Sequence, residues 1–147
     1  MKKVILSVVC ILVLVVGLCA CSATKPEEKA EDIWATAMYT ENTELGNGEK
    51  TISVEVVAED KSVTFTIHSS KDTLKDALDE YNLVDGEEGA YGLYVKKVNG
   101  ITADYDKNQC YWGFYKNDES MNTGVDSVEI ADGDRYKIVY TKQIGEK

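Results

Sequence analysis

Positive charge is scarce in this chain. Its 147 residues carry 16 Lys and Arg against 26 Asp and Glu, a formal net charge of −10. A surface with that balance repels nucleic acid and anionic lipid headgroups, so nucleic-acid binding drops out and solubility is the plain role of the charge. Histidine occurs once, at His68, and proline once, at Pro26. There is no Ser-His-Asp order, no zinc spacing and no phosphate-cradling glycine loop, so no enzyme class is indicated. Cysteine is concentrated at one end: Cys10, Cys19 and Cys21 crowd the N-terminus, and only Cys110 lies beyond them. A lone thiol makes no internal disulfide. A thiol nucleophile needs a basic partner, and nothing in the sequence links Cys110 to His68. The expectation for Cys110 is a small apolar core residue.

The long apolar run, Val4 to Ala20, follows the basic start Met1-Lys2-Lys3 and ends at Cys21. A basic start, an apolar stretch and a small residue before the cut describe an export signal. The sequence "LCAC" over 18–21 resembles the bacterial lipobox, with an apolar residue three before the modified cysteine and Ala20 immediately before it. That resemblance implies a lipoprotein signal peptide over 1–20, cleavage before Cys21, and acylation of its thiol and new amino group. Several acyl chains would hold a soluble domain at a membrane, outside the cytoplasm, far better than one. An uncleaved single-span anchor is the alternative, at the short edge of what crosses a bilayer. Cleavage removes Lys2 and Lys3 and no acid, leaving 14 basic against 26 acidic residues, a net charge of −12. Residues 21–32, polar and carrying Pro26, read as a tether, and 33–147 as one domain.

Within that domain "IWATAMYT" suggests a first strand and "ENTELGNGEK" a loop. "TISVEVVAED" and "KSVTFTIHS" alternate, with Ile52, Val54, Val56 and Val63, Phe65, Ile67 on their inner faces, and "AEDK" between them predicts a hairpin. The period then changes. Leu74, Ala77, Leu78 and Tyr81 mark one face of a helix of about three turns, capped by Thr73 and stopped by "VDGEEG". "AYGLYVKKVNGI" returns to strand with a tight turn at Asn99-Gly100. "CYWGFYKND" is a strand ending at Asn117-Asp118, "VDSVEIADGD" leads to a turn at Asp132-Gly133, and "RYKIVYTK" closes the chain. A hairpin, one helix and further strands predict an α+β domain, the helix packed on one face of a mixed sheet.

Some residues invite a chemical reading. "DYDKN" (Asp104, Asp106, Asn108) mimics the opening of a calcium loop, but Gln109 stands where the turn needs glycine and Tyr115 where a bidentate Glu belongs. Asp76, Asp79 and Glu80 fall on the polar side of the helix, where solvation explains them. His68 could ligate a metal ion, but it faces the polar side of its strand. In a strand, Trp112 and Phe114 share one face, suited to the core, and Tyr111 and Tyr115 the other, a flat platform for a planar ligand or a partner protein.

The run of motifs "TLKDALDEYNLV", "GLYVKKVNGI", "YWGFYKND", "TGVDSVEIADGD" and "YKIVYT" resembles the DUF4430 family, the transcobalamin-like C-terminal domain, over about 51–141. The resemblance implies a β-grasp-like fold and non-catalytic ligand binding. In the vertebrate cobalamin carriers such a domain covers one side of a corrinoid and a helical barrel the other. This sequence shows no barrel, so one face of such a site is implied. Carried over by position, that face comprises Tyr111, Trp112, Tyr115, Met121, Asn122 and Thr123. No resident cofactor or metal is implied; cobalamin would be cargo. The resulting expectation is a lipid-anchored, extracytoplasmic domain that captures a corrinoid and hands it to an uptake transporter. The alternative is a protein-interaction or adhesion module using the same aromatic surface or a free sheet edge.

Overall fold

A computed structural model describes residues 31–145. The expected signal peptide, Cys21 and most of the expected tether lie outside the described residues. Within them, no helix is long and apolar enough to cross a membrane.

The strands are β1 Thr43–Gly46, β2 Lys50–Ala58, β3 Lys61–Ser69, β4 Val84–Gly89, β5 Gly92–Val98, β6 Ile101–Thr102, β7 Cys110–Lys116, β8 Glu119–Ser120 and β9 Arg135–Lys142. Helix α1 spans Leu74–Asp79 and the single-turn α2 spans Tyr105–Asn108; short 3-10 turns lie at Ile33–Thr36 and Val125–Ser127. One sheet has the order β1-β3-β2-β9-β7-β8, and a smaller one the order β4-β5-β6. β2 and β3 form a hairpin whose two-residue turn begins at Glu59, φ 56°. After α1 the chain returns through β9, which lies beside β2 and parallel to it, Ser53 opposite Arg135 and Val57 opposite Val139. A hairpin, a packed helix and a last strand returned parallel to the hairpin's first strand make this a grasp-like α+β fold.

Alternation explains the long strands. Ile52, Val54, Val56, Val63, Phe65, Ile67 and Ile138 are buried with Leu74, Ala77 and Leu78 of α1 in one core, while intervening residues face outward. Cys110 is part of that core.

Several expectations are corrected. "IWATAMYT" is not a strand: the carboxylate of Asp32 accepts from the Trp34 N–H and starts a 3-10 turn, which buries Trp34 with its Nε1 donating to the Ala58 carbonyl at 3.0 Å. The predicted loop after it contains β1, which runs parallel to β3 at the sheet edge. Helix α1 has six residues rather than three turns, because Asn82 turns left-handed (φ 54°) and the Leu83 N–H closes back on the Leu78 carbonyl. "VDGEEG" is strand β4, and it belongs to a second sheet where one was expected. "DYDKN", already discounted as a calcium loop, is capped helix: Asp104 accepts from the N–H groups of Asp106 and Lys107.

Candidate functional site

β7 has one well-paired edge. Along β9 it pairs from Cys110 to Lys116, whereas β8 covers only Tyr115 and Lys116 on the other side. Beside the uncovered stretch opens a cleft of about 500 Å³. Tyr111, Trp112 and Phe114 of β7 form one wall and Leu93, Tyr94 and Val95 of β5 another; Tyr105, Gln143 and the segment Thr123–Val125 close it. Tyr94, Tyr105 and Tyr111 are three of the large apolar side chains that the described domain leaves exposed. Tyr91, 98% exposed, stands on the turn between β4 and β5. A Cβ at Gly124 would lie 3.3 Å from the Tyr91 carbonyl, so that turn rests against the Thr123–Val125 wall.

Local bonds hold these walls. Asp104 caps α2, Gln109 (φ 56°) ends it, and the Tyr105 hydroxyl donates to Gln143 Oε1 at 2.6 Å. The Gln143 N–H reaches the Gln109 carbonyl at 2.9 Å, fixing the chain beyond β9 beside α2. Across the cleft, Asp126 Oδ2 accepts from the Leu93 N–H at 2.8 Å and ties the Val125 turn to β5. Gly92 (φ 100°) is required there, because a side chain would strike that carboxylate. Trp112 is 6% exposed and meets the Tyr140 ring edge-on, centroids 5.3 Å apart. Its Nε1 is buried with no partner among the described residues, in contrast to the satisfied Trp34.

The cleft thus gathers Tyr111, Trp112 and Thr123 of the six residues singled out from sequence. Tyr115 does not line it; it lies over Gly113, 3.4 Å from where a Cβ would stand. Met121 packs half-buried against the core, its N–H donating to the Phe114 carbonyl at 2.9 Å, and Asn122 is exposed; neither lines the cleft. The sequence reading missed Leu93, Tyr94, Val95, Tyr105 and Gln143. The available signal was the clustering of tyrosines in "YGLY" and "DYDKN", which periodicity does not sort by exposure.

The lining is aromatic and aliphatic, with a few hydroxyl and amide groups. No carboxylate, amine, imidazole or thiol side chain lines it. Among the described residues no group of three or more His, Cys, Asp and Glu side chains could hold a metal ion. His68 is engaged elsewhere, Nε2 lying 2.7 Å from Glu44 Oε1 and Nδ1 3.0 Å from Thr51 Oγ1, which pins β1 to its neighbours. A polar hollow of about 570 Å³ lies over β2, β3 and β9, but Lys137 there already meets Glu55 at 3.6 Å and Asp118 at 3.3 Å. "DGD" proves structural: Asp134 Oδ2 accepts from the Ala131 N–H at 2.9 Å, the Tyr136 hydroxyl at 2.8 Å and Lys116 Nζ at 2.7 Å. Burial pushes the Asp134 carboxyl up, but these three donors outweigh it and hold it below the usual aspartate value.

Residues 71–142 match the family model of a domain of unknown function, DUF4430. The chain is similar to a protein of Ruminococcus gnavus ATCC 29149, provisionally assigned as metal binding, whose crystal structure was solved at 1.30 Å. Identity is 35%, the TM-score is 0.62, and the match covers 65% of this chain and 100% of that one. It is also similar to haptocorrin, crystallised in complex with Cbi, at 17% identity and a TM-score of 0.49, over 67% of this chain and 27% of that one. No curated protein matches.

Proposed function

The chain belongs to the DUF4430 family, and we propose that its folded domain is a non-catalytic module that binds a flat, largely apolar ligand in the tyrosine cleft between β5 and β7. The observation that carries this reading is the convergence of Tyr94, Tyr105 and Tyr111 with the buried Trp112 on one concavity. Tyrosine offers rigid apolar area with a hydroxyl that still meets water, and the cleft volume falls within the ~300–1,000 Å³ of small-molecule sites. A corrinoid is the ligand we propose. It would lay one face on the cleft and leave the other to solvent or to a partner that closes over it. We further propose that an acylated Cys21 and a short tether hold the domain at the outer surface of the cell membrane, where captured ligand passes to an uptake transporter. The metal-binding assignment of the Ruminococcus gnavus protein is not carried over, because no suitable ligand group is present among the described residues.

Titration with cobalamin by equilibrium dialysis tests this, using the full chain and its Tyr94→Ala/Tyr111→Ala variant. The double variant should weaken binding at least tenfold, about 1.4 kcal/mol, as expected for aromatic anchors. Absence of saturable binding at millimolar cobalamin removes the corrinoid reading. One observation favours a protein partner as the second reading: Tyr91 stands almost fully exposed beyond the cleft rim. In that case Tyr91→Ala would abolish attachment to a surface protein while leaving cobalamin binding unchanged.

A further inference from the structure

The free edge of β7 has a phase that can be read from its ends. The Asn117 N–H bonds the Arg135 carbonyl at 3.0 Å, and the Gln143 N–H bonds the Gln109 carbonyl at 2.9 Å. With Trp112 opposite Tyr140, these bonds assign the odd-numbered residues of β7 to β9. The main-chain groups of Cys110, Trp112 and Phe114 therefore point to the opposite edge, beside the cleft. Two of them are met locally: Asn108 Oδ1 accepts from the Cys110 N–H at 3.2 Å, and the Phe114 carbonyl accepts from Met121. Trp112 differs. β8 stops short of it, and among the described residues neither its N–H nor its carbonyl has a hydrogen-bond partner. Its indole Nε1 is likewise buried and unpartnered. Trp112 thus holds a main-chain donor and acceptor on a free strand edge beside the cleft, and a buried indole donor, none with a partner among the described residues. An unpaired stretch of strand edge beside a cleft is a place where a ligand can supply main-chain partners.

We propose that Trp112 is the polar anchor of the cleft and that it takes a neutral carboxamide on the ligand. This rests on the reading of the cleft as a ligand site and adds the chemical group recognised. A primary amide carries an acceptor and a donor side by side, matching the N–H and carbonyl that one extended residue presents to the same edge. Charged alternatives fit less well. A carboxylate has no proton for the Trp112 carbonyl, and Asp104, Asp106 and Asp126 flank the cleft residues Tyr105 and Val125 in sequence. An ammonium has no acceptor for the N–H groups. The tyrosines would then hold the ligand's flat apolar body, and Trp112 would fix its orientation.

The test is ¹⁵N-resolved NMR of the full chain in detergent micelles, titrated with acetamide and, separately, with acetate of the same size. Acetamide should shift the Trp112 main-chain N–H saturably, while the Trp34 indole, already bonded to Ala58, stays in place; acetate should shift neither. Equal or larger shifts with acetate, or no shift of Trp112 with acetamide, overturn the proposal. A cobalamin arm separates it from the reading it rests on. Cobalamin that binds by dialysis without moving the Trp112 N–H overturns the anchor and leaves the cleft as a ligand site. Acetamide shifts without any cobalamin binding keep the anchor and remove the corrinoid.

Discussion

Asn99 is fully buried yet carries a polar amide on both ends of which the fold depends. Its Oδ1 accepts from the Tyr39 N–H at 3.0 Å and its Nδ2 donates to the Tyr39 carbonyl at 2.8 Å, which clamps the segment before β1 onto the β5–β6 turn. Asn99→Ala should cost about 2–3 kcal/mol in urea denaturation, since it deletes two bonds and strands two main-chain groups of Tyr39; a loss under half that would show water taking the place of the side chain. Asp134 gives a pH signature. Its folded value lies below its unfolded one, near 3.9, so its contribution is present above that pH and is lost as the pH falls through the lower folded value. Asp134→Asn should therefore be less stable than the parent at neutral pH, the gap closing as the pH is lowered from about 5 toward 2. A gap that widens in acid would reverse the assigned sign. At this scale the sequence was half legible. Asn99-Gly100 announced a turn, and Asp132–Asp134 another, but their partners Tyr39, Lys116 and Tyr136 are remote in the chain and no local pattern names them.

Strands with a strict period of two were readable because one face of each is buried: β2, β3, β7 and β9 lie where alternation put them. β4 escaped because only Val84 at its start is buried; the remaining residues pair along the rim of the small sheet with no apolar alternation to betray them. The helix was overextended for the opposite reason. Tyr81 fits the apolar face, yet the left-handed Asn82 ends the helix first, and φ is invisible to periodicity. Its start was read correctly: the Thr73 hydroxyl accepts from the Asp76 N–H at 3.2 Å. Thr73→Ala should destabilise by about 1 kcal/mol in thermal or urea unfolding, while Thr73→Ser should be nearly neutral. Equal losses in both would place the effect in the methyl contact and not in the cap.

At the scale of the whole molecule, the cleft draws on β5, α2, β7, the Val125 turn and the chain beyond β9, five stretches that the fold alone brings together. The family's motif order pointed to the 111–123 region, of which Tyr111, Trp112 and Thr123 line the cleft. It could not point to Tyr94 or Tyr105, which belong to other elements. Placement in the cell is a separate proposal with its own test. Cys21→Ser should move the protein from the membrane fraction to the soluble or unprocessed one and abolish the acyl mass on its N-terminal peptide; unchanged fractionation would remove the lipid anchor. For the cleft itself, the most direct measurement is the cobalamin dissociation constant of the full chain beside that of Tyr94→Ala/Tyr111→Ala, with unfolding midpoints recorded for both. The account predicts saturable binding that weakens at least tenfold at unchanged stability. Equal affinities in two equally folded proteins would contradict it.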